Sequence, residues 1–194
     1  MNRLIRCIAV PALSLAVLAG CDHMHMNNDG DKKTVAVAHI KPAPGATTQP
    51  AIGKGAGTVT FTQKAVDKVR VQAELTGLPP GEHGIHIHEK SDLTAPDLSS
   101  AGPHFNPSHA KHAGPMAEMH HAGDLGNITA DASGNAKLDI TIDGVTLLGD
   151  GANNILMKSV VIHAKADDLK TDPSGNSGPR IAGGVIEAAK TEMK

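Results

Sequence analysis

The chain contains no tryptophan and no tyrosine, and its aromatic content is limited to Phe61 and Phe105. A core must therefore be built from Val, Ile, Leu and Ala, which suits pleated sheets of small branched side chains. Charge of one sign is also lacking. Lys and Arg total 18 against 20 Asp and Glu, a formal net charge of −2, and non-specific nucleic-acid binding, which needs a basic surface, is excluded. No convincingly long helical stretch appears. Twenty-one Gly and twelve Pro instead call for many turns and long loops. Cysteine is the sharpest absence. Cys7 and Cys21 both lie in the first 21 residues, so the folded region has no thiol and can form no internal disulfide.

The N-terminus explains where those cysteines sit. Arg3 and Arg6 precede an apolar run, Ile8 to Leu18, that ends in Leu18-Ala19-Gly20-Cys21. At about 11 residues the run is far short of the ~20 needed to span a bilayer and reads as a signal peptide over residues 1–20. The LAGC ending is similar to a bacterial lipobox, in which Cys21 becomes the first mature residue and carries lipid; the alternative is ordinary signal cleavage. Residues 21–33 follow as a polar, flexible tether. Its His23-Met24-His25-Met26 run offers imidazole and thioether donors suited to copper, although such a run also fits a merely solvated tether. The expected location is exported, in the cell envelope or periplasm, anchored to a membrane by lipid.

From residue 34 to 194 the pattern is one domain. Period-two alternation predicts strands over 34–40, 58–63, 69–78, 83–89, 124–130, 136–142, 159–164 and 180–188. Eight short strands with turns between them predict an all-β sandwich or barrel. The stretch 90–122 has no period, and loops of that length are usually functional.

Eight of the twelve histidines fall between residues 83 and 121. His86 and His88 are two apart on a predicted strand, so their imidazoles share one face and can reach one ion. The loop that follows supplies His104, His112, His121 and Asp124, and a late strand supplies His163. Three His and one Asp satisfy four-coordinate zinc, and copper accepts several imidazoles.

Five ordered blocks, GIHIHE (84–89), SAGPHFNP (100–107), HAGDLGNI (121–128), VVIHAKADD (160–168) and SGNSGPRIAGGVI (174–186), resemble the copper/zinc superoxide dismutase family. The resemblance spans about residues 34 to 189 and implies an eight-stranded antiparallel Greek-key β-sandwich or barrel with two long functional loops. It implies copper ligands His86, His88, His104 and His163, and zinc ligands His104, His112, His121 and Asp124, with His104 bridging the metals. Asp167 matches the carboxylate behind the ligands, and Arg180 the cation that attracts and orients superoxide. Arg180 and His104 would carry catalysis, the dismutation of superoxide to dioxygen and hydrogen peroxide. The alternative is a copper/zinc store or donor with little activity. The resemblance leaves monomer and homodimer open. His83 matches a packing position, while His109 and His120 read as solvated loop residues and His39 as a strand residue.

The family also joins a Cys six residues before the bridging His to a Cys three residues after the Arg. Leu98 and Gly183 stand at those positions here, which bears on loop order and on the placement of Arg180.

Overall fold

A computed structural model describes residues 34–45 and 57–189. The signal peptide, Cys21 and the His/Met run lie outside the described residues. Eight strands form a closed antiparallel barrel: β1 (Val35–Pro42), β2 (Gly57–Ala65), β3 (Lys68–Leu75), β4 (Gly81–His88), β5 (Asp124–Ala130), β6 (Ala136–Asp143), β7 (Ser159–His163) and β8 (Arg180–Ala188). Their spatial order, β1-β2-β3-β6-β5-β4-β7-β8, sets β3 beside β6 and β4 beside β7, which is Greek-key connectivity. The fold class is the one the sequence predicts.

The two halves of the barrel follow different rules. On β3, Val69, Val71, Ala73 and Leu75 point inward, and Lys68, Arg70, Gln72 and Glu74 face water. Opposite them on β6, Lys68 meets Asp143 at 2.8 Å and Arg70 meets Asp139 at 2.5 Å. Such exposed pairs fix register more than they add stability.

On β4 every residue from His83 to His88 is buried. Ile85 and Ile87 enter the core while His86 and His88 take the opposite face. The same holds on β7, where Val160 and Ile162 are in the core and Ser159, Val161 and His163 lie behind them. The outer face is dry because long loops cover it.

The core is made of Ala, Val, Ile and Leu, with Phe61 in the barrel and Phe105 under the loops. Each fully buried branched side chain contributes about 1.5–3 kcal/mol, so the cluster supplies the bulk of the folding energy. Among the described residues no helix is long and apolar enough to cross a membrane.

Candidate metal centre

The loop between β4 and β5 is stitched to β4 by its backbone. Phe105 N–H donates to the Ile87 carbonyl at 2.8 Å, Gly123 N–H to that of Phe105 at 2.9 Å, and Ile87 N–H to that of Gly123 at 2.8 Å. Glu89 and Lys90 bond back to Pro103 and Ala101. This ladder brings His104 beside His88 and delivers His121 and Asp124 to the same outer face.

Two clusters result, and both contain His104. His86, His88, His104 and His163 form one; His104, His112, His121 and Asp124 form the other. All seven residues are buried.

Hydrogen bonds to one nitrogen of each ring decide which nitrogen faces the cluster. His86 Nε2 lies 2.8 Å from Asp167 Oδ2, His88 Nδ1 2.9 Å from the Gly102 carbonyl, and His163 Nδ1 3.1 Å from that of Gly178. The nitrogens left over are His86 Nδ1, His88 Nε2 and His163 Nε2, the last two 3.4 Å apart. His104 turns Nδ1 toward Asp124, 2.8 Å away. Among the described residues His86 Nδ1 and His104 Nε2 are buried with no hydrogen-bond partner. Two orphaned nitrogens at one point are costly, and a bound cation would satisfy both.

In the second cluster Asp124 Oδ1 lies 2.8 Å from His104 Nδ1, 3.0 Å from His112 Nδ1 and 3.3 Å from His121 Nδ1. His121 Nδ1 and His104 Nδ1 are 3.5 Å apart. Tetrahedral zinc with N and O ligands separates its donors by about 3.3 Å, so these side chains stand at the spacing the ion requires. The donor set also fits copper in the first cluster, four imidazole nitrogens with no thiolate or carboxylate.

Protonation follows placement. Burial lowers His86 to about 4 and His163 to about 3, and holds His88 well below the ordinary imidazole value. These three rings are neutral near pH 7 and present lone pairs. Against the pull of burial, Asp124 and Asp167 raise His112 to about 10 in the metal-free protein, so an ion held at Nδ1 takes the place of the proton there. Both carboxylates are in turn held well below their usual range, against burial, by His104 and His112 at Asp124 and by His112 and His86 at Asp167.

Asp167 ties the clusters together. Its Oδ2 faces His86 Nε2 at 2.8 Å and its Oδ1 faces His112 Nε2 at 2.9 Å. Its backbone is clamped by Asn127, whose Oδ1 accepts from Asp167 N–H at 2.7 Å and whose Nδ2 donates to the Asp167 carbonyl at 2.9 Å.

Residues that sequence reasoning missed complete the support. Asp172 Oδ1 accepts from His112 N–H at 2.6 Å, joining the 165–179 loop to the 106–122 loop. Gly175 has φ +61, and a Cβ there would lie 1.8 Å from Asp167 Oδ1 and 2.7 Å from His112 Nε2. Asp172 reads in sequence as turn chemistry, and Gly175, though inside the 174–186 block, carries no local cue to its contact with Asp167. Gly175→Ala is expected to displace the Asp167 carboxylate. It should cost about 1–3 kcal/mol in thermal unfolding and roughly 10–100-fold in metal affinity, as loss of an outer hydrogen-bond partner does. Competitive chelator titration measures the affinity change.

Arg180 opens β8 at the rim. Its Nη1 donates to the Leu98 carbonyl at 2.6 Å and its Nη2 to that of Gly102 at 2.7 Å. Burial lowers its pKa and Asp97 partly restores it, and an arginine stays charged in either case. With His88, His104, His163 and Ser174, it lines a cleft of about 440 Å³. The stem of Lys165 covers Gly178 beside that cleft, and Lys170 is exposed.

The other histidines among the described residues stand apart. His83 is buried with its ring nitrogens 2.8 Å from the His163 carbonyl and 2.7 Å from that of Pro79. His109 and His39 are exposed, and His120 Nδ1 bonds the His121 carbonyl.

Comparison with known proteins agrees with this geometry. The profile of the copper/zinc superoxide dismutase family matches residues 55–186. An extracellular superoxide dismutase (Cu-Zn) of Brugia pahangi is 45% identical over 139 residues, covering 67% of this chain and 68% of that protein. A crystal structure of the clock protein EA4 superposes with a TM-score of 0.68 at 39% identity, covering 81% of this chain and 96% of that one. The chain belongs to the copper/zinc superoxide dismutase family.

Proposed function

We propose that copper is held by His86, His88, His104 and His163, and zinc by His104, His112, His121 and Asp124, in an enzyme that dismutates superoxide to dioxygen and hydrogen peroxide. The carrying observation is the sharing of His104 between two buried clusters, one of which opens beside Arg180 on a cleft. When bound, copper supplies the one-electron exchange with superoxide, while zinc, with its closed d-shell, only organises ligands and loop.

The chain's own residues do the rest. Arg180 draws the anion into the cleft and orients it by charge-assisted hydrogen bonding. Its two carbonyl partners leave the guanidinium further N–H groups for the substrate. His104 Nε2 is the atom at which a proton is held and passed to the peroxide product. Asp167 fixes the ring orientations of His86 and His112.

A store or donor of the two metals is not favoured, because such a protein has no use for a half-buried arginine at the mouth of the first cluster. The arrangement of the chain completes the reading: residues 1–20 as signal peptide, Cys21 as lipid attachment, 21–33 as tether and 34–194 as the exported domain. The LAGC motif supports it, and the Brugia relative is extracellular.

Arg180→Gln tests the steering role. The second-order rate is expected to fall roughly tenfold or more at low salt, with metal content unchanged. Its dependence on ionic strength should flatten, since salt screens steering. An unchanged rate and slope would remove Arg180 from the mechanism.

A further inference from the structure

Leu98 occupies an unusual position. It precedes the short 3-10 turn Ser99–Ala101 with φ +58, in the left-handed region that a non-glycine residue adopts at a cost. Asn or Gly is the ordinary choice there, yet the residue is a leucine, only 2% exposed. Its side chain is seated against β8. A Cβ built on Gly183 would lie 3.3 Å from Leu98 Cδ1 and 3.5 Å from Leu93 Cδ2. The glycine therefore leaves the hollow that Leu98 fills.

The turn that Leu98 anchors faces the site. Leu98 N–H donates to Ala95, and the Leu98 carbonyl accepts from Ala101 N–H at 3.1 Å as well as from Arg180 Nη1 at 2.6 Å. At the other end, the Gly102 carbonyl accepts from Arg180 Nη2 at 2.7 Å and faces His88 Nδ1 at 2.9 Å. Both carbonyls that hold the guanidinium thus belong to one turn, and Leu98 pins it to the strand that carries Arg180.

We propose that Leu98 is a positioning residue for Arg180: packed on Gly183, it holds the 98–102 turn so that its two end carbonyls fix the guanidinium at the cleft. It is a non-covalent lock at the place where the family resemblance puts a disulfide. The inference rests on the reading of Arg180 given above.

A double-mutant cycle tests it. Dismutation is measured at low ionic strength for the full chain, Leu98→Ala, Arg180→Gln and the double variant, with equal copper and zinc content verified. Leu98→Ala is expected to lower the second-order rate at least threefold and to flatten its salt dependence. In the Arg180→Gln background the same substitution should change the rate by less than half. Leu98→Met, which keeps the volume, should restore both rate and slope. If Leu98→Ala does not fold, Leu98→Val makes the same comparison with a smaller void.

A second readout needs no metal. Amide exchange at Ala101 and Gly102, whose N–H groups close the turn, should quicken at least tenfold in metal-free Leu98→Ala and stay at the wild-type rate in Leu98→Met. Equal losses from Leu98→Ala in both backgrounds, or unaltered exchange at these amides, would overturn the proposal. If Arg180→Gln alone changes nothing, the reading of Arg180 fails and takes this proposal with it. If only the Leu98 variants are silent, Arg180 stands and Leu98 is not its support.

Discussion

Replacing His163 with alanine is expected to abolish dismutation and copper binding together while leaving close to one zinc per chain. His163 belongs to the first cluster only, at the end of β7, with its ring oriented by the Gly178 carbonyl. Its loss removes one of four donors from the cluster that opens on the cleft, and activity should fall to the spontaneous rate. The second cluster keeps all its members, and Asp167 still braces His112. His104→Ala is the complement, because His104 is common to both clusters, and should lose both metals. Metal analysis after dialysis, paired with activity, separates the two variants. Full activity in His163→Ala would refute the copper assignment, and undisturbed zinc in His104→Ala would refute the sharing.

Stripping both metals is expected to unlock one part of the long loop and spare the rest. With no thiol in the domain, the ~2–4 kcal/mol that a disulfide typically supplies is absent, and reductant should leave the melting temperature unchanged. The first part, residues 90–105, is nonetheless well anchored. Leu98, Ala101 and Phe105 are buried, Lys158 Nζ sits 4.2 Å from the centre of the Phe105 ring, and the backbone ladder holds both ends.

The second part, residues 106–122, buries only His112 and His121, and its Met116 and Met119 are exposed. Its backbone ties to Asp172 and Asp124 sit at or beside those two histidines, so an ion bound there would hold the loop at the same points. Metal bound only by the folded state adds RT ln(1 + [L]/Kd), about 4 kcal/mol at a thousandfold excess over Kd. Amide exchange across 106–122 should therefore accelerate by roughly 10³-fold on chelation, and far less across 90–105. A loop that exchanges equally slowly with and without metal would mean that zinc does not hold it. Cysteines introduced together by Leu98→Cys and Gly183→Cys tether only the first part and should change exchange in 106–122 little.

Much of this was legible in the sequence, for a physical reason. Strands such as β5 and β8 begin and end where alternation meets turn residues, and the sequence bounds coincide with Asp124–Ala130 and Arg180–Ala188. Others shift by a few residues at turns; the run to Leu78 ends as a strand at Leu75. The clustered histidines were visible because imidazoles are rare enough to stand out and His86 and His88 share a parity.

What was not legible depends on contacts between loops. Asp172 meets His112 across 60 residues and Asn127 meets Asp167 across 40, and no local pattern encodes either pairing. The left-handed leucine at 98 runs against propensity, and only its burial against Gly183 explains it. Nor could composition show that Gly175 is required, because the atom that excludes a Cβ comes from Asp167.

The most direct test of the central claim is anomalous diffraction at the copper and zinc edges from crystals of the protein loaded with both metals. The account predicts two ions per chain, copper among His86, His88, His104 and His163, zinc among His104, His112, His121 and Asp124, with the His104 ring between them. A single ion, the two elements reversed, or a His104 ring touching only one of them would contradict it.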